Sequence, residues 1–306
     1  MKFAFPLPHM MEIKATLQPW ELAVTGPDQL RLAQKAEEMG YAMVAVPEHL
    51  AVPPNHFAFS GRFFLHSTVA QAALAGATKT IRINSSVTIL PLQNPITMAK
   101  GLATADWMSG GRMTVTFGLG SLQEEFEYFG VPWAERGAIA DEYLEAIVAL
   151  WTQDTPTFEG KYVSFKDIGF DPKPVQKPHL PIWMGGDSPP ALRRAARFAD
   201  GWICSYKTKA EEIPERLDYM KSQPTWRERP FDVMFGIGAG RMTDDHAPTN
   251  DPRSRAGMSA QELVDRIGEI RDYGATYTGV PIPQVPDAEA YIDYAQWVME
   301  EIAAKV

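Results

Sequence analysis

A carboxylate and a histidine stand side by side after an apolar run at 42–46, and they are the first candidates for chemistry. These residues are Glu48 and His49. A histidine at a strand end can donate a hydrogen bond or move a proton near neutral pH. A histidine in a loop can equally have a structural role only. We treat Glu48 and His49 as candidate catalytic residues, with the structural role as the alternative.

Two further segments carry small residues at strand ends. Residues 84–88 read Asn-Ser-Ser-Val-Thr, and such small side chains let the backbone pass close to a ligand. Gly118 and Gly120 end the next apolar run, where the missing Cβ lets a flat ring or a phosphate approach the main chain. The alternatives are an ordinary polar strand end and a common Gly-x-Gly sequence.

A third glycine motif precedes a predicted helix. Gly185 and Gly186 end an apolar run, and a helix begins near residues 187–190. Backbone N–H groups at such a turn bind anions, and the helix dipole adds about 0.3–1 kcal/mol, which predicts a phosphate site. Capping of the helix by Asp187 or Ser188, with a proline in its first turn, explains the motif equally well. Arg193 and Arg194 on this helix either assist an anion or lie in solvent.

The elements that must position these residues alternate along the chain. Short apolar runs typical of strands are separated by segments with the periodicity of amphipathic helices. About eight strand-helix units result, which predicts an α/β protein with one (β/α)8 TIM-barrel domain across residues 1–306. The predicted strands are 2–5, 42–46, 81–87, 112–118, 181–185, 201–205, 231–238 and 275–280. The predicted helices are 28–39, 66–77, 95–108, 142–151, 189–199, 210–220, 261–273 and 288–304.

The barrel architecture brings the candidate segments together, because the loops after the strands share its C-terminal face. Left-handed glycines are expected to end several helices before the next strand: Gly40, Gly110 or Gly111, Gly201 and Gly274. The link between the fourth helix and the fifth strand is much longer than the other helix-to-strand links. Its alternating pattern around residues 159–160 predicts a hairpin-like insertion at about 153–180.

Composition excludes several classes of function. The chain has 306 residues, of which 45% are hydrophobic and 22% charged, so it can bury a substantial core. A formal net charge of −9 without a basic run disfavours nucleic acid and anionic lipid. No apolar run approaches the roughly 18 residues of a membrane span, and the lone Cys204 excludes an internal disulfide. We expect a cytoplasmic protein that acts on a small molecule.

Two long stretches resemble the luciferase-like monooxygenase family. Residues 81–151 contain LP-x-x-x-P, then AK-x-x-AT-x-D-x-M-SGGR, then a glycine-rich strand end followed by EEF. Residues 172–202, from PKPVQ through the double glycine to ADGW, are similar to the family's second signature. The VPEHL of residues 46–50 and the NSSVTILP of residues 84–91 look more like the deazaflavin-dependent branch.

The resemblance implies a barrel with a flavin or deazaflavin ring in its mouth, no metal, and a homodimer. It implies that Glu48 and His49 lie near the ring, and that the Ser86–Val87 peptide is cis and lies behind it. Gln123 stands where some dehydrogenase members have a catalytic glutamate, with Glu124 and Glu125 directly after it. The residues expected to bind the cofactor are Ser86, Val87, Thr88, Gly118, Gly120, Met184, Gly185 and Gly186, the last three at its phosphate arm.

Two cofactors are compatible with the resemblance. Coenzyme F420 implies hydride transfer to or from a small organic substrate, with His49 moving the accompanying proton, an effect of about 10²–10⁴ in rate. FMN implies monooxygenation by reduced flavin and O2. Other readings are a barrel that only binds flavin, a metal-dependent hydrolase, for which the six histidines are scattered, and a Schiff-base enzyme using Lys207.

Overall fold

A parallel β-sheet forms the centre of the protein. The computed structural model describes residues 1–237 and 258–306. The strands are β1 (Lys2–Phe5), β2 (Met43–Val46), β3 (Arg82–Ser85), β4 (Thr88–Ile89), β5 (Val115–Gly118), β6 (Phe158–Glu159), β7 (Ser164–Phe165), β8 (Ile182–Gly185), β9 (Gly201–Ile203), β10 (Asp232–Gly236) and β11 (Tyr277–Gly279). Within the described residues, the main sheet has nine strands in the order β3-β2-β1-β11-β10-β9-β8-β5-β4.

The sheet closes into a barrel because the strands at its two ends, β3 and β4, are nearly continuous in the chain. Strand β3 lies within the predicted strand 81–87, and β4 continues the chain directly after an interruption at residues 86–87. A parallel bridge between Ile83 and Met113 connects β3 to the segment that leads into β5. The predicted (β/α)8 TIM barrel is thereby confirmed. The last predicted residue of the seventh strand, Gly238, lies outside the described residues.

Helices surround this barrel and bury their apolar faces against it. Two short helices, α2 and α5, were not predicted from the periodicity, because each is too short to show one. The helices are α1 (Gly26–Glu38), α2 (Phe57–Ser60), α3 (Ser67–Ala77), α4 (Pro95–Ser109), α5 (Gln123–Tyr128), α6 (Arg136–Thr152), α7 (Pro189–Phe198), α8 (Ile213–Lys221), α9 (Ala260–Asp272) and α10 (Ala288–Trp297). None of the described helices is long and apolar enough to cross a membrane.

Most of the predicted helix-ending glycines have positive φ, but Gly201 does not. The φ angles of Gly40 and Gly274 are 88° and 106°, in the region that favours glycine. Gly201 instead begins β9, where an added Cβ would come within 2.5 Å of Trp183 Nε1. The prediction for Gly201 was wrong, since this residue is small to make room for an indole inside the barrel.

The end of α1 is tied to the start of β3 by one carboxylate. Glu37 accepts hydrogen bonds from the N–H groups of Lys79 and Ile81, both at 2.8 Å, and from Thr80. Burial alone would raise the pKa of Glu37, but these hydrogen bonds to its ionised form outweigh burial and lower the pKa to about 2. This contact fixes the loop that leads into β3, the strand directly before residues 86–87.

The long link before β8 contains the expected hairpin. Strands β6 and β7 pair antiparallel, with Phe158 opposite Phe165 and Glu159 opposite Ser164. Glu142 of α6 holds the hairpin turn, because its carboxylate accepts the N–H of Lys161 at 2.9 Å. This hairpin lies within the predicted insertion at 153–180 and contacts α6 on the outside of the barrel.

Candidate active site at the barrel mouth

The barrel interior is filled at one level and open at the next. Ala4, Met43, Trp183 and Tyr277 form a buried cluster inside the barrel. On three of these strands, the residue two positions further along points to the same face and has a small side chain or none. These residues are Ala45, Gly185 and Gly279. A cavity of about 370 Å³ opens above the cluster at the C-terminal ends of the strands.

The Ser86–Val87 peptide lies at this opening and is cis, as the resemblance implied. Ser86 lines the large cavity and also a second, smaller one. The Val87 side chain fills the space beside two glycines. A Cβ on Gly118 would come within 2.5 Å of Val87 Cγ2, and one on Gly185 within 3.0 Å of Val87 Cγ1. Both glycines are therefore explained by packing against Val87, independently of any ligand.

His49 lies on the smaller cavity and is held by a buried carboxylate. Its Nδ1–H donates to Glu125 Oε2 at 2.8 Å, and the Glu125 side chain is 0% exposed. Glu125 Oε1 also accepts the N–H groups of Leu50 at 2.6 Å and Ala51 at 3.0 Å. The hydrogen-bond pattern assigns the proton to Nδ1 and leaves Nε2 as the atom that can exchange a proton with a ligand.

Glu48 is buried and accepts four hydrogen bonds from the surrounding framework. Oε1 accepts from the N–H and hydroxyl of Ser67, at 3.1 and 2.7 Å. Oε2 accepts from the N–H of Ile89 at 2.9 Å and the side-chain amide of Gln93 at 3.1 Å. These bonds join the end of β2 to α3 and β4. The contacts give Glu48 a positioning role next to His49, and its catalytic role stays a prediction.

Two of the predicted cofactor residues turn their side chains away from the mouth. Thr88 is 0% exposed, and its hydroxyl lies 2.9 Å from the Ser67 hydroxyl. Met184 packs in the main core between the barrel and its helices. Only their backbones remain for contact with a ligand. Gly120 has φ 77° and lies against Phe126, so its small size serves the turn and the packing of that ring.

The double-glycine turn shows the capping arrangement. Ser188 caps α7, accepting the N–H of Ala191 on its side chain at 3.4 Å and that of Leu192 on its carbonyl at 2.9 Å. The intervening residues, Pro189 and Pro190, have no N–H. The first turn of α7 therefore offers no free donor, and an anion here would depend on the backbone of the turn at 185–188.

Two arginines, one at the start of α6 and one on α7, retain unpaired donors. Of these two, only Arg194 was considered from the sequence, as a residue that assists an anion or lies in solvent. Arg136, at the start of α6, lies 3.6 Å over the ring of Trp133, and burial lowers its pKa. Arg194 on α7 pairs with Asp141 at 2.5 Å and donates to Gly137 O at 3.1 Å. Within the described residues, Arg136 Nε and Arg194 Nη1 are buried without a hydrogen-bond partner.

Arg136 connects to the turn at Gly120 through two aromatic rings. Trp133 packs edge-on against Phe126 with ring centroids 5.0 Å apart, and Phe126 lies against Gly120. Arg194 lies 3.6 Å from where a Cβ on Gly137 would be. Arg194 thus joins α7 to the start of α6, and in each of the two arginines one guanidinium nitrogen has no hydrogen-bond partner among the described residues. Arg136 follows the EEF segment of the family pattern in the sequence, but the sequence does not show that this arginine is buried.

Comparison with known proteins identifies relatives that match most of the chain. The sequence profile of the luciferase-like monooxygenase family matches residues 12–247. An uncharacterised protein of Mycobacterium tuberculosis is 30% identical over 289 residues, which cover 90% of this chain and 92% of that protein.

Two further matches carry functional names. An FMNH(2)-dependent dimethylsulfone monooxygenase of Pseudomonas putida is 32% identical over 197 residues, covering 63% of this chain and 52% of that protein. The structure of a coenzyme F420 dependent tetrahydromethanopterin reductase from Methanopyrus kandleri superposes with a TM-score of 0.73 at 17% identity, covering 99% of this chain and 98% of that one. At this identity the second match concerns the fold only.

Proposed function

Because the chain belongs to the luciferase-like monooxygenase family, we propose that it is an oxidoreductase that uses coenzyme F420 for hydride transfer to or from a small organic substrate. The observation that carries this proposal is the position of the His49 ring. Its Nδ1–H is held by the buried Glu125, and its ring lines a cavity that shares Ser86 with the barrel mouth.

The mouth has the space for a ring cofactor, and two arginines on α6 and α7 offer donors for a phosphate arm. The larger cavity, about 370 Å³, lies within the roughly 300–1,000 Å³ usual for ligand pockets. Thr208 lines it, is 6% exposed, and has a buried hydroxyl without a partner among the described residues. Arg136 and Arg194 would hold the phosphate through their unpaired N–H groups.

His49 would act as the proton carrier. Bound coenzyme F420 would supply hydride exchange with a substrate carbon. When an alcohol is oxidised, its hydroxyl proton passes to Nε2 of His49, and when a carbonyl is reduced the same atom returns the proton. Glu125 is a positioning residue, because it fixes the Nδ1–H form and stabilises the positive ring that forms when Nε2 gains its proton.

One observation favours a second candidate, an FMN-dependent monooxygenase using reduced flavin and O2. The Pseudomonas putida relative, at 32% identity over 197 residues, is named as an FMNH(2)-dependent enzyme. The same mouth and the same arginines would serve FMN. The sequence of residues 46–50 and 84–91, which looks more like the deazaflavin branch, is what places F420 first.

A parallel titration with FMN and with coenzyme F420, followed by fluorescence quenching, tests the cofactor. Tight binding of F420 alone supports the proposal, binding of FMN alone supports the monooxygenase, and binding of neither contradicts both. His49→Ala then tests the role of the histidine. We expect turnover to fall about 10²–10⁴-fold with cofactor affinity unchanged. Unchanged turnover would remove His49 from the mechanism.

A further inference from the structure

We propose that the smaller cavity beside His49 binds a neutral, apolar, ring-sized part of the substrate. This inference rests on the proposed function, because it names the class of compound that His49 would serve. The cavity has a volume of about 190 Å³ and is lined by His49 together with Met11, Ile13, Phe59 and Phe64.

The apolar wall is built by two loops that pair with each other. Met11, in the loop after β1, forms an antiparallel bridge with Phe64, in the loop after β2. The N–H of Glu12 donates to Phe63 O, and that of Lys14 donates to Phe59 O, both at 3.0 Å. The wall is therefore held by main-chain hydrogen bonds and exists without a ligand.

Alternation along these extended segments selects which side chains face the cavity. Met11 and Phe64 line the cavity. Their sequence neighbours Glu12 and Phe63 line a separate surface depression instead. The Phe64 ring meets the His49 ring edge-on with centroids 4.8 Å apart, while Phe63 stacks on His9. The chain thus offers two neighbouring phenylalanines, one inside the proposed site and one outside it.

Size and charge restrict the occupant. A volume of about 190 Å³ is below the roughly 300 Å³ at which drug-sized pockets begin, which suits one ring. No lysine or arginine among the described residues lines this cavity, and its two imidazoles already have acidic neighbours: His49 donates to Glu125, and His56 interacts electrostatically with Glu124. An anionic group would lose its hydration without gaining a cation, so a neutral ketone, alcohol or imine fits.

Ligand-observed NMR titration with acetophenone and benzoate tests this assignment, because the two probes have equal numbers of non-hydrogen atoms but differ in charge. The titrations use the protein saturated with whichever cofactor it binds. We expect acetophenone to bind at least about tenfold more tightly than benzoate. Phe64→Ala should weaken acetophenone binding about tenfold, Phe64→Leu by less, and Phe63→Ala should leave it unchanged.

These results test the apolar site and the oxidoreductase proposal separately. Equal binding of benzoate, or equal weakening by Phe63→Ala and Phe64→Ala, overturns the apolar site even if a cofactor binds. If neither FMN nor F420 binds, the titrations are run on the protein alone. Retained preference for acetophenone with loss confined to Phe64→Ala then supports the apolar site while the oxidoreductase proposal fails.

Discussion

Replacing Glu125 by glutamine is the most direct test of the proposed proton carrier. The amide keeps a carbonyl oxygen for the N–H groups of Leu50 and Ala51, which donate to Glu125 at 2.6 and 3.0 Å. In the variant, the NH2 group of the glutamine faces His49 Nδ1. In the wild type, the carboxylate accepts the Nδ1–H there at 2.8 Å. The histidine must accept at Nδ1 and carry its proton on Nε2, which reverses the donor and acceptor atoms of the ring.

The expected size of the effect follows from the burial of this contact. A hydrogen bond to a charged group contributes about 1.5–3 kcal/mol, and Glu125 has no exposure to water that would screen the loss. We expect Glu125→Gln to lower the free energy of unfolding by about that amount. Because Nε2 can no longer take a proton, turnover should fall about 10²–10⁴-fold with KM nearly unchanged.

The assay compares kcat and kcat/KM across pH for the wild type and for Glu125→Gln. Nitrogen-15 NMR of the His49 ring reports which nitrogen carries the proton. Glu124→Gln is the matched control, since Glu124 is the adjacent residue and contacts the side chain of Asn55 at 2.8 Å on the surface. A folded Glu125→Gln protein with wild-type turnover, pH profile and ring protonation would refute the reasoning.

Three further predictions concern the framework of the site. Gly118→Ala should cost about 1–3 kcal/mol of unfolding free energy by crowding Val87, and a denaturation curve equal to wild type would show that the contact is not limiting. Arg136→Gln should weaken cofactor binding at least about tenfold in the quenching titration, because it removes a charged donor, and an unchanged affinity would place the phosphate elsewhere. The lowered pKa of Glu37, about 2 against an ordinary 4.5, means that its contribution is complete above pH 4.5 and disappears as the pH falls towards 2. The difference in free energy of unfolding between wild type and Glu37→Gln, measured by urea denaturation and about 1 kcal/mol after allowance for solvent screening, should therefore shrink across that window, and a difference that stays constant would contradict the assignment.

The barrel was predictable because its signals are local. Each strand and each long helix carries its own periodicity, and the hairpin within 153–180 carries its own alternation. The short helix α5 was missed, since its residues Gln123–Tyr128 span too few turns to show an apolar face. The family resemblance led to the cis peptide at Ser86–Val87, which no propensity of those two residues would indicate.

The side-chain partners at the site were not predictable, because they are distant in sequence. His49 and Glu125 are 76 positions apart, so only the closed barrel brings them together. Glu48 looked like the natural partner of His49 but is committed to Ser67, Ile89 and Gln93. Gln123, at the position of a catalytic glutamate in some relatives, is exposed and donates to the Glu127 side chain at 3.1 Å.

The contact between α5 and the loop after β2 has a consequence for exchanging parts between related barrels. Loops on a barrel face are commonly treated as independent modules that can be swapped one at a time. Here the histidine comes with one module, while the carboxylate that orients it comes with another. A graft of the loop at 47–66 alone would therefore bring a histidine without its support, and an insertion ahead of Glu125 would detach that support from a histidine left in place. Chimeras should transfer the segments 47–66 and 119–128 as a pair.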